Sequence, residues 1–228
     1  KQHGHLGSGL FGFLGGLREH NEREWFQANK QRYERDVRDP MLAFIAAAAK
    51  PLEAISAEIE ADPRPVGGSF FRIFRDTRFS KDKSPYKTHA AAQFRHRAGK
   101  DVHAPGFYLH VEPGNVFLGA GLWQPESEPL RAIRTLISSE PAAWETVIAA
   151  KAFKANCVLE GESVKRAPAG FAPDHELIDA LRRKDFIAVA RFSESEAVQS
   201  DFLDRFIVAC RAAAPFNAFI CRALGHAW

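Results

Sequence analysis

The residues with the clearest chemical potential form a run of arginines and lysines in the middle of the chain. Between Arg72 and Lys87 there are six cationic side chains, and only Asp76 and Asp82 are available nearby as counter-ions. Arginine binds carboxylate and phosphate oxygens through paired hydrogen bonds, and lysine adds a point charge. The excess of cations predicts a site for an external anion, formed by Arg72, Arg75, Arg78, Lys83 and Lys87.

The charge of the chain is unevenly distributed. The formal net charge is only +3, but residues 72–100 carry nine basic side chains against two acidic ones, and the rest of the chain is slightly acidic. Such asymmetry indicates an anionic partner rather than a particular fold. We expect a small molecule that bears a phosphate or phosphate ester, bound in a basic pocket.

Two other functions fit the same segment. Its arginines and aspartates are also compatible with an internal network of ion pairs that only stabilises a long loop. A nucleic-acid-binding module is the other alternative, because Phe79, Tyr86 and Phe94 lie among the cations and aromatic rings stack on bases. The chain as a whole is not strongly basic, which makes nucleic acid the less favoured partner.

A second group of polar residues lies on a predicted hairpin around Pro113-Gly114-Asn115. A two-residue turn places Tyr108 and His110 on the same face of the hairpin as Phe117, Gly119, Gly121 and Trp123. The two glycines would then form a shallow floor between aromatic walls. A three-residue turn reverses this register. His110 is a candidate for proton transfer, as is Tyr86, but the sequence does not decide whether the protein is an enzyme.

A third group lies on a helix near the N-terminus. Trp25, Phe26, Tyr33 and Val37 form an apolar stripe, and Asn29 lies on it with Lys30 at its edge. Asn21 is expected to cap the start of this helix. The residues predicted to line the pocket are therefore Asn29, Lys30, Tyr86, Tyr108 and His110.

Common catalytic and cofactor motifs are absent from the sequence. It contains no phosphate-binding loop, no dinucleotide fingerprint, no zinc-protease motif and no nucleophile elbow. His89, His96, His103 and His110 recur every seven residues, but an odd spacing alternates the faces of a strand. We expect neither a metal nor a cofactor.

The elements that must position these residues follow from the change of hydrophobic period along the chain. Helices are predicted over 11–20, 22–37, 41–59, 129–138, 141–156, 174–182 and 195–224, with Pro215 breaking the last. Short strands are predicted in the middle, over 69–75, 90–95, 107–112 and 116–123, with later strands at 158–164 and 186–192. Segregated helices and strands predict an α+β fold with a mainly antiparallel sheet.

Composition limits the class of protein. Of 228 residues, 46% are hydrophobic and 19 are phenylalanine, which is typical of one globular domain, here residues 10–228. The Gly- and His-rich residues 1–9 are interpreted as a tag or linker remnant. An odd count of three cysteines favours a reducing, cytoplasmic location. The longest apolar run noted, Met41–Ala49, is too short to span a membrane.

Several of these motifs resemble one uncharacterised family. The stretches Asn21–Tyr33, Phe71–His89, Gly106–His110, Gly121–Pro125 and Lys165–Gly170 are similar to those of the domain of unknown function 2461. The resemblance covers nearly all of the chain after residue 9 and implies a single-domain protein, but no reaction. Ala169 stands where the pattern commonly has lysine, which weakens a basic role for that turn.

Overall fold

The fold is described here from a computed structural model, which covers residues 6–78, 80–98 and 104–228. The helices of the N-terminal half are α1 Ser8–Glu19, α2 Arg23–Ala28, α3 Lys30–Tyr33 and α4 Asp39–Glu53, with a π-helical turn at Glu34–Arg38 between the last two. The later helices are α5 Ser127–Ser139, α6 Pro141–Ala149, α7 Lys151–Asn156, α8 Ile178–Leu181, α9 Glu194–Ala197 and α10 Phe202–Ala223.

The described residues contain one antiparallel sheet of six strands. The strands are β1 Ile59–Glu60, β2 Ala90–His96, β3 Gly106–Glu112, β4 Asn115–Leu122, β5 Val158–Glu160 and β6 Phe186–Phe192. Their order in the sheet is β1-β2-β3-β4-β6-β5, and every neighbouring pair is antiparallel. The predicted α+β class and the central antiparallel sheet are confirmed.

One face of the sheet is covered by helices from both ends of the chain. Alternate residues of the central strands point to this face and are buried, as the 2-residue period of a strand requires. The rings of Phe94 on β2 and Phe206 on α10 lie 5.6 Å apart, and α4 packs against both α10 and β2. The opposite face of β3 and β4 is only partly covered and is called the open face below.

Helix α10 differs from its prediction in two ways. It runs through Pro215 without a break, because proline removes one backbone donor while Phe216 and Phe219 keep the helix packed in the core. In the described part of the chain it also meets the length and composition of a membrane span, which sequence analysis overlooked. Most of its apolar window is buried inside the protein, as in the core helix of a globular domain.

The predicted strand over 69–75 does not form. Only Phe70 and Phe74 make isolated bridges, to Ala92 and Tyr86, and Arg72 is exposed. The strand predicted over 158–164 and the helix predicted over 174–182 both form, but over fewer residues than predicted.

Part of the N-terminal segment interpreted as a tag or linker packs with the domain. Leu6 is fully buried and its N–H donates to the Ala197 carbonyl at 3.1 Å, and helix α1 already begins at Ser8. Residues 1–5 lie outside the described residues. The folded domain therefore includes residues from Leu6 onwards.

Candidate functional site

The cationic segment forms a loop, named here the basic loop (residues 72–89), whose two ends pair with each other. The N–H of Arg75 donates to the Pro85 carbonyl at 2.9 Å, and the N–H of Lys87 donates to the Ile73 carbonyl at 2.8 Å. These bonds close the base of the loop and leave residues 76–84 as its tip. Phe79 lies outside the described residues.

The N-terminal helices hold one side of this loop. Asn21 does not cap α2; its side-chain amide instead donates to the Tyr86 carbonyl and accepts from the Tyr86 N–H, both at 3.0 Å. The ring of Phe26 stacks on Tyr86 with the two centroids 4.2 Å apart. Tyr86 is thereby only 2% exposed, so it is a packing residue of the loop.

Four of the five predicted anion ligands make contacts within the loop. Arg78 pairs with Asp76 at 2.7 Å, and Arg75 pairs with Asp82. The ammonium of Lys83 donates to the Thr77 carbonyl at 2.9 Å, and that of Lys87 donates to the Arg72 carbonyl at 3.0 Å. None of the five side chains lines the pocket described below, and the two aspartates serve as local counter-ions for two of the arginines.

We expect Arg75→Met to lower the free energy of unfolding by less than about 1 kcal/mol. The side chain of Arg75 is 29% exposed and that of its partner Asp82 is 58% exposed, so water solvates the carboxylate that the substitution leaves behind. A loss of ~3 kcal/mol, typical of a broken buried ion pair, would contradict this assignment. Urea unfolding of the wild type and the variant measures the difference.

A pocket of about 550 Å³ lies on the open face of the sheet. Its walls include the rings of Phe71, Tyr108, Phe117 and Trp123, and the ring centroids of Phe71 and Phe117 are 6.2 and 5.9 Å from that of Tyr108. Phe71 reaches this face because its N–H pairs with the Ala91 carbonyl at the edge of β2. Trp123 is 71% exposed and stands at the rim.

Gly119 and Gly121 of β4 form the floor of the pocket. The turn at Pro113-Gly114 has two residues, since Glu112 pairs with Asn115, and Tyr108 therefore pairs with Gly119. Of the two registers that the sequence left open, the structure has the one set by a two-residue turn. A Cβ atom at Gly119 would find its nearest neighbours, in Tyr108 and Phe117, at 3.9 Å, so it would fit there in ordinary van der Waals contact.

Three polar side chains form a hydrogen-bonded chain along β3, from the pocket towards the hairpin turn. The hydroxyl of Tyr108 is 3.1 Å from Nδ1 of His110, and Nε2 of His110 is 3.4 Å from a carboxylate oxygen of Glu112. These residues share a face because they are two positions apart on the strand. Thr88 donates to the other oxygen of Glu112 at 3.1 Å, which fixes the carboxylate.

Burial shifts the pKa values of this cluster. Desolvation raises the pKa of Tyr108 to about 12, and the charge of Glu112 adds to this shift. Desolvation lowers the pKa of His110, although the hydrogen bond and charge of Glu112 oppose that shift. The ring of His89 stacks on His110 at 4.5 Å. Desolvation, with smaller contributions from His110, Lys87 and Arg75, lowers the pKa of His89 to about 4. Both histidines are therefore neutral at neutral pH.

One cation of the basic loop, Lys87, contacts the wall of this pocket. Its ammonium lies over the ring of Phe71, 5.4 Å from the centroid, and desolvation lowers its pKa. Among residues 6–78, 80–98 and 104–228, no carboxylate forms a salt bridge with it. Lys87 is thus a partly desolvated positive charge next to an apolar pocket.

The structure separates the predicted pocket residues into two groups. Tyr108 lines the pocket and His110 lies directly behind it. Asn29 ends helix α2, where its amide donates to the Trp25 carbonyl at 2.9 Å, and Lys30 is exposed on the next helix. Neither these two residues nor Tyr86 lines the pocket.

The aromatic residues proposed for base stacking are also placed by the fold. Phe94 is fully buried in the core and Tyr86 is covered by Phe26, so neither ring presents a free face to a base. The three cysteines, Cys157, Cys210 and Cys221, are free and buried. In the part of the chain that the structure describes, no three His, Cys, Asp or Glu residues are grouped as metal ligands, and His103 lies outside that part.

Comparison with known proteins identifies the family and nothing more specific. The model of the family described as a conserved hypothetical protein (DUF2461) matches residues 9–219, so the chain belongs to this family. Searches of the curated proteins and of the solved structures each gave no match.

Proposed function

We propose that this member of the family binds an anionic small molecule on the open face of its sheet. The flat apolar part of the ligand occupies the pocket above Gly119, and its anionic group, a phosphate or phosphate ester, lies beside Lys87. The observation that carries the proposal is a partly desolvated ammonium without a carboxylate partner in the described residues, placed against the wall of an aromatic pocket.

The physical argument concerns the cost of holding this charge. An ammonium that loses water and gains no counter-ion is destabilised, and its lowered pKa reports that cost. An anion bound beside Lys87 would remove part of the cost while the pocket buries the rest of the ligand. Glycine at position 119 keeps the floor low enough for a planar group to lie between the aromatic walls.

The remaining charge of the basic loop supports the same ligand class. Asp76 and Asp82 each pair with one arginine, and this leaves the other cations of the loop in excess of its carboxylates. Such an excess raises the local concentration of anions. Nucleic acid remains the second prediction from the sequence, but its base-stacking residues Tyr86 and Phe94 are buried, so no observation favours it over a small molecule.

Calorimetric titration with phenyl phosphate tests the proposal, with inorganic phosphate and benzoate as partial ligands. We expect phenyl phosphate to bind more tightly than either, and Lys87→Met to weaken it by about tenfold, which corresponds to about 1.4 kcal/mol. Lys81→Met is the matched control, because it removes the same charge from an exposed position of the same loop. Equal losses in the two variants would show that only the overall charge of the loop matters.

A second variant tests the pocket itself. Gly119→Val adds a branched side chain to the floor of the pocket, where its Cβ would be in ordinary van der Waals contact, no closer than 3.9 Å to its neighbours. We expect the variant to keep or slightly raise its melting temperature, since valine favours a strand and glycine does not. It should also lose measurable binding of phenyl phosphate. A variant that folds and still binds as the wild type does would place the ligand elsewhere.

A further inference from the structure

The side chains behind the pocket carry an inference about chemistry that rests on the proposed function. We infer that Tyr108, His110 and Glu112 form a proton relay, which takes a proton from an ionisable hydroxyl group of the bound ligand. The ligand class is thereby narrowed to planar anionic molecules that carry an acidic hydroxyl, such as a phenol or an enol.

The order of the three side chains gives the relay its direction. Of the three, Tyr108 lines the pocket, and the hydroxyl of Tyr108 reaches Nδ1 of His110 at 3.1 Å. Nε2 of His110 faces the carboxylate of Glu112 at 3.4 Å, and an ionised carboxylate only accepts hydrogen bonds. The imidazole proton therefore lies on Nε2, and Nδ1 is free to accept from the tyrosine hydroxyl.

The proton moves in two linked transfers. The ligand hydroxyl gives its proton to the Tyr108 oxygen while the Tyr108 proton moves to Nδ1 of His110. The products are a ligand oxyanion, an unchanged tyrosine and an imidazolium whose other N–H faces Glu112. The reverse movement returns the proton, so the relay needs no oxidant, metal or second substrate.

The surroundings of the three side chains favour transfer of the proton to His110 over the formation of a free tyrosinate at Tyr108. A tyrosine whose pKa is raised to about 12 does not hold a negative charge at neutral pH, so the proton must pass on to His110. His110 is only 9% exposed, between the rings of Phe117 and His89, and desolvation lowers its pKa, so the resting imidazole is neutral and its Nδ1 can accept. The hydrogen bond and charge of Glu112 raise that pKa and stabilise the imidazolium once the proton arrives. Glu112 is the acidic group that faces it, and His89, itself near Lys87 and Arg75, is neutral as well.

The probe for this inference is 4-nitrophenol, a planar acid that becomes yellow when it ionises. Titration is performed one pH unit below the pKa of the free probe, with calorimetry in two buffers of different ionisation enthalpy. We expect the wild-type protein to bind the probe as the yellow anion without releasing a proton to the buffer, because the proton stays on His110. Simple attraction of the anion to Lys87 would instead release one proton.

Variants separate the relay from a structural role. Tyr108→Phe retains the ring that packs between Phe71 and Phe117 but has no hydroxyl, so we expect it to bind the probe as the colourless acid. His110→Gln should behave in the same way, and a melting curve of each variant verifies folding. Colourless binding by the wild type, or yellow binding by Tyr108→Phe, overturns the relay alone. If neither 4-nitrophenol nor phenyl phosphate binds to the wild type, the proposed function fails with it.

Discussion

Replacement of Gly121 by alanine is expected to lower the free energy of unfolding by about 4 kcal/mol, from backbone strain and overpacking together. Gly121 has a φ angle of +105°, which side chains other than hydrogen rarely allow. A Cβ atom there would lie 2.1 Å from the Phe186 carbonyl oxygen and 2.8 Å from the ring of Phe216. The oxygen belongs to the paired strand β6, so the clash cannot be relieved by a side-chain rotation.

Gly119→Ala is the matched control, two residues away on the same strand. Its Cβ would meet nothing closer than 3.9 Å and its backbone is not in the left-handed region, so we expect a gain of roughly 0.5 kcal/mol. Chemical denaturation of both variants gives the comparison. Similar free energies for the two alanine variants would show that strand β4 shifts to accommodate a side chain at position 121.

The fold was largely predictable because its signals are local. Short apolar runs bounded by turn residues marked β2, β3, β4 and β6, and the composition of Pro113-Gly114-Asn115 marked the hairpin between β3 and β4. The same kind of apolar run led to the wrong prediction of a strand at 69–75, because Phe70 and Phe74 are anchored by single bridges rather than by a ladder. The pattern of apolar residues does not show how many backbone hydrogen bonds a segment makes with a neighbouring strand.

The site was predictable only where one strand or one turn defines it. Tyr108 and His110 came together with Gly119 because the register of a hairpin follows from its turn length. Glu112 was missed although it lies two residues beyond His110 on the same strand, and that spacing was a usable signal. His89 and Phe71 approach this strand through tertiary contacts, so no local pattern reveals them.

The basic loop shows why counting charges was insufficient. The count correctly found more cations than carboxylates, but it could not assign Asp76 to Arg78 or Asp82 to Arg75. Asn21 presents a similar problem, because its type and position suit a helix cap while its amide instead binds the backbone of Tyr86, 65 residues away. Long-range contacts of polar side chains depend on the assembled fold.

The second large effect is expected at Asp185, where replacement by alanine should cost about 3 kcal/mol. Asp185 is 3% exposed, and its two oxygens accept from the N–H groups of Gln124 at 2.8 Å and of Glu162 at 2.9 Å. It thus joins the segment after β4 to the segment after β5. Gln124 has a φ angle of +48°, a conformation that needs such a tether in a residue other than glycine.

Asp174→Ala provides the control, because it removes the same carboxylate from an exposed position and should change stability by no more than about 0.5 kcal/mol. Asp185→Asn should fall between the two, since an amide offers one acceptor oxygen in place of two. Gln124 follows Trp123 at the rim of the pocket, so Asp185→Ala should also weaken binding of phenyl phosphate under conditions in which the variant remains folded. Thermal unfolding and the same titration measure both effects, and a stability equal to that of Asp174→Ala would mean that water replaces the carboxylate at both N–H groups.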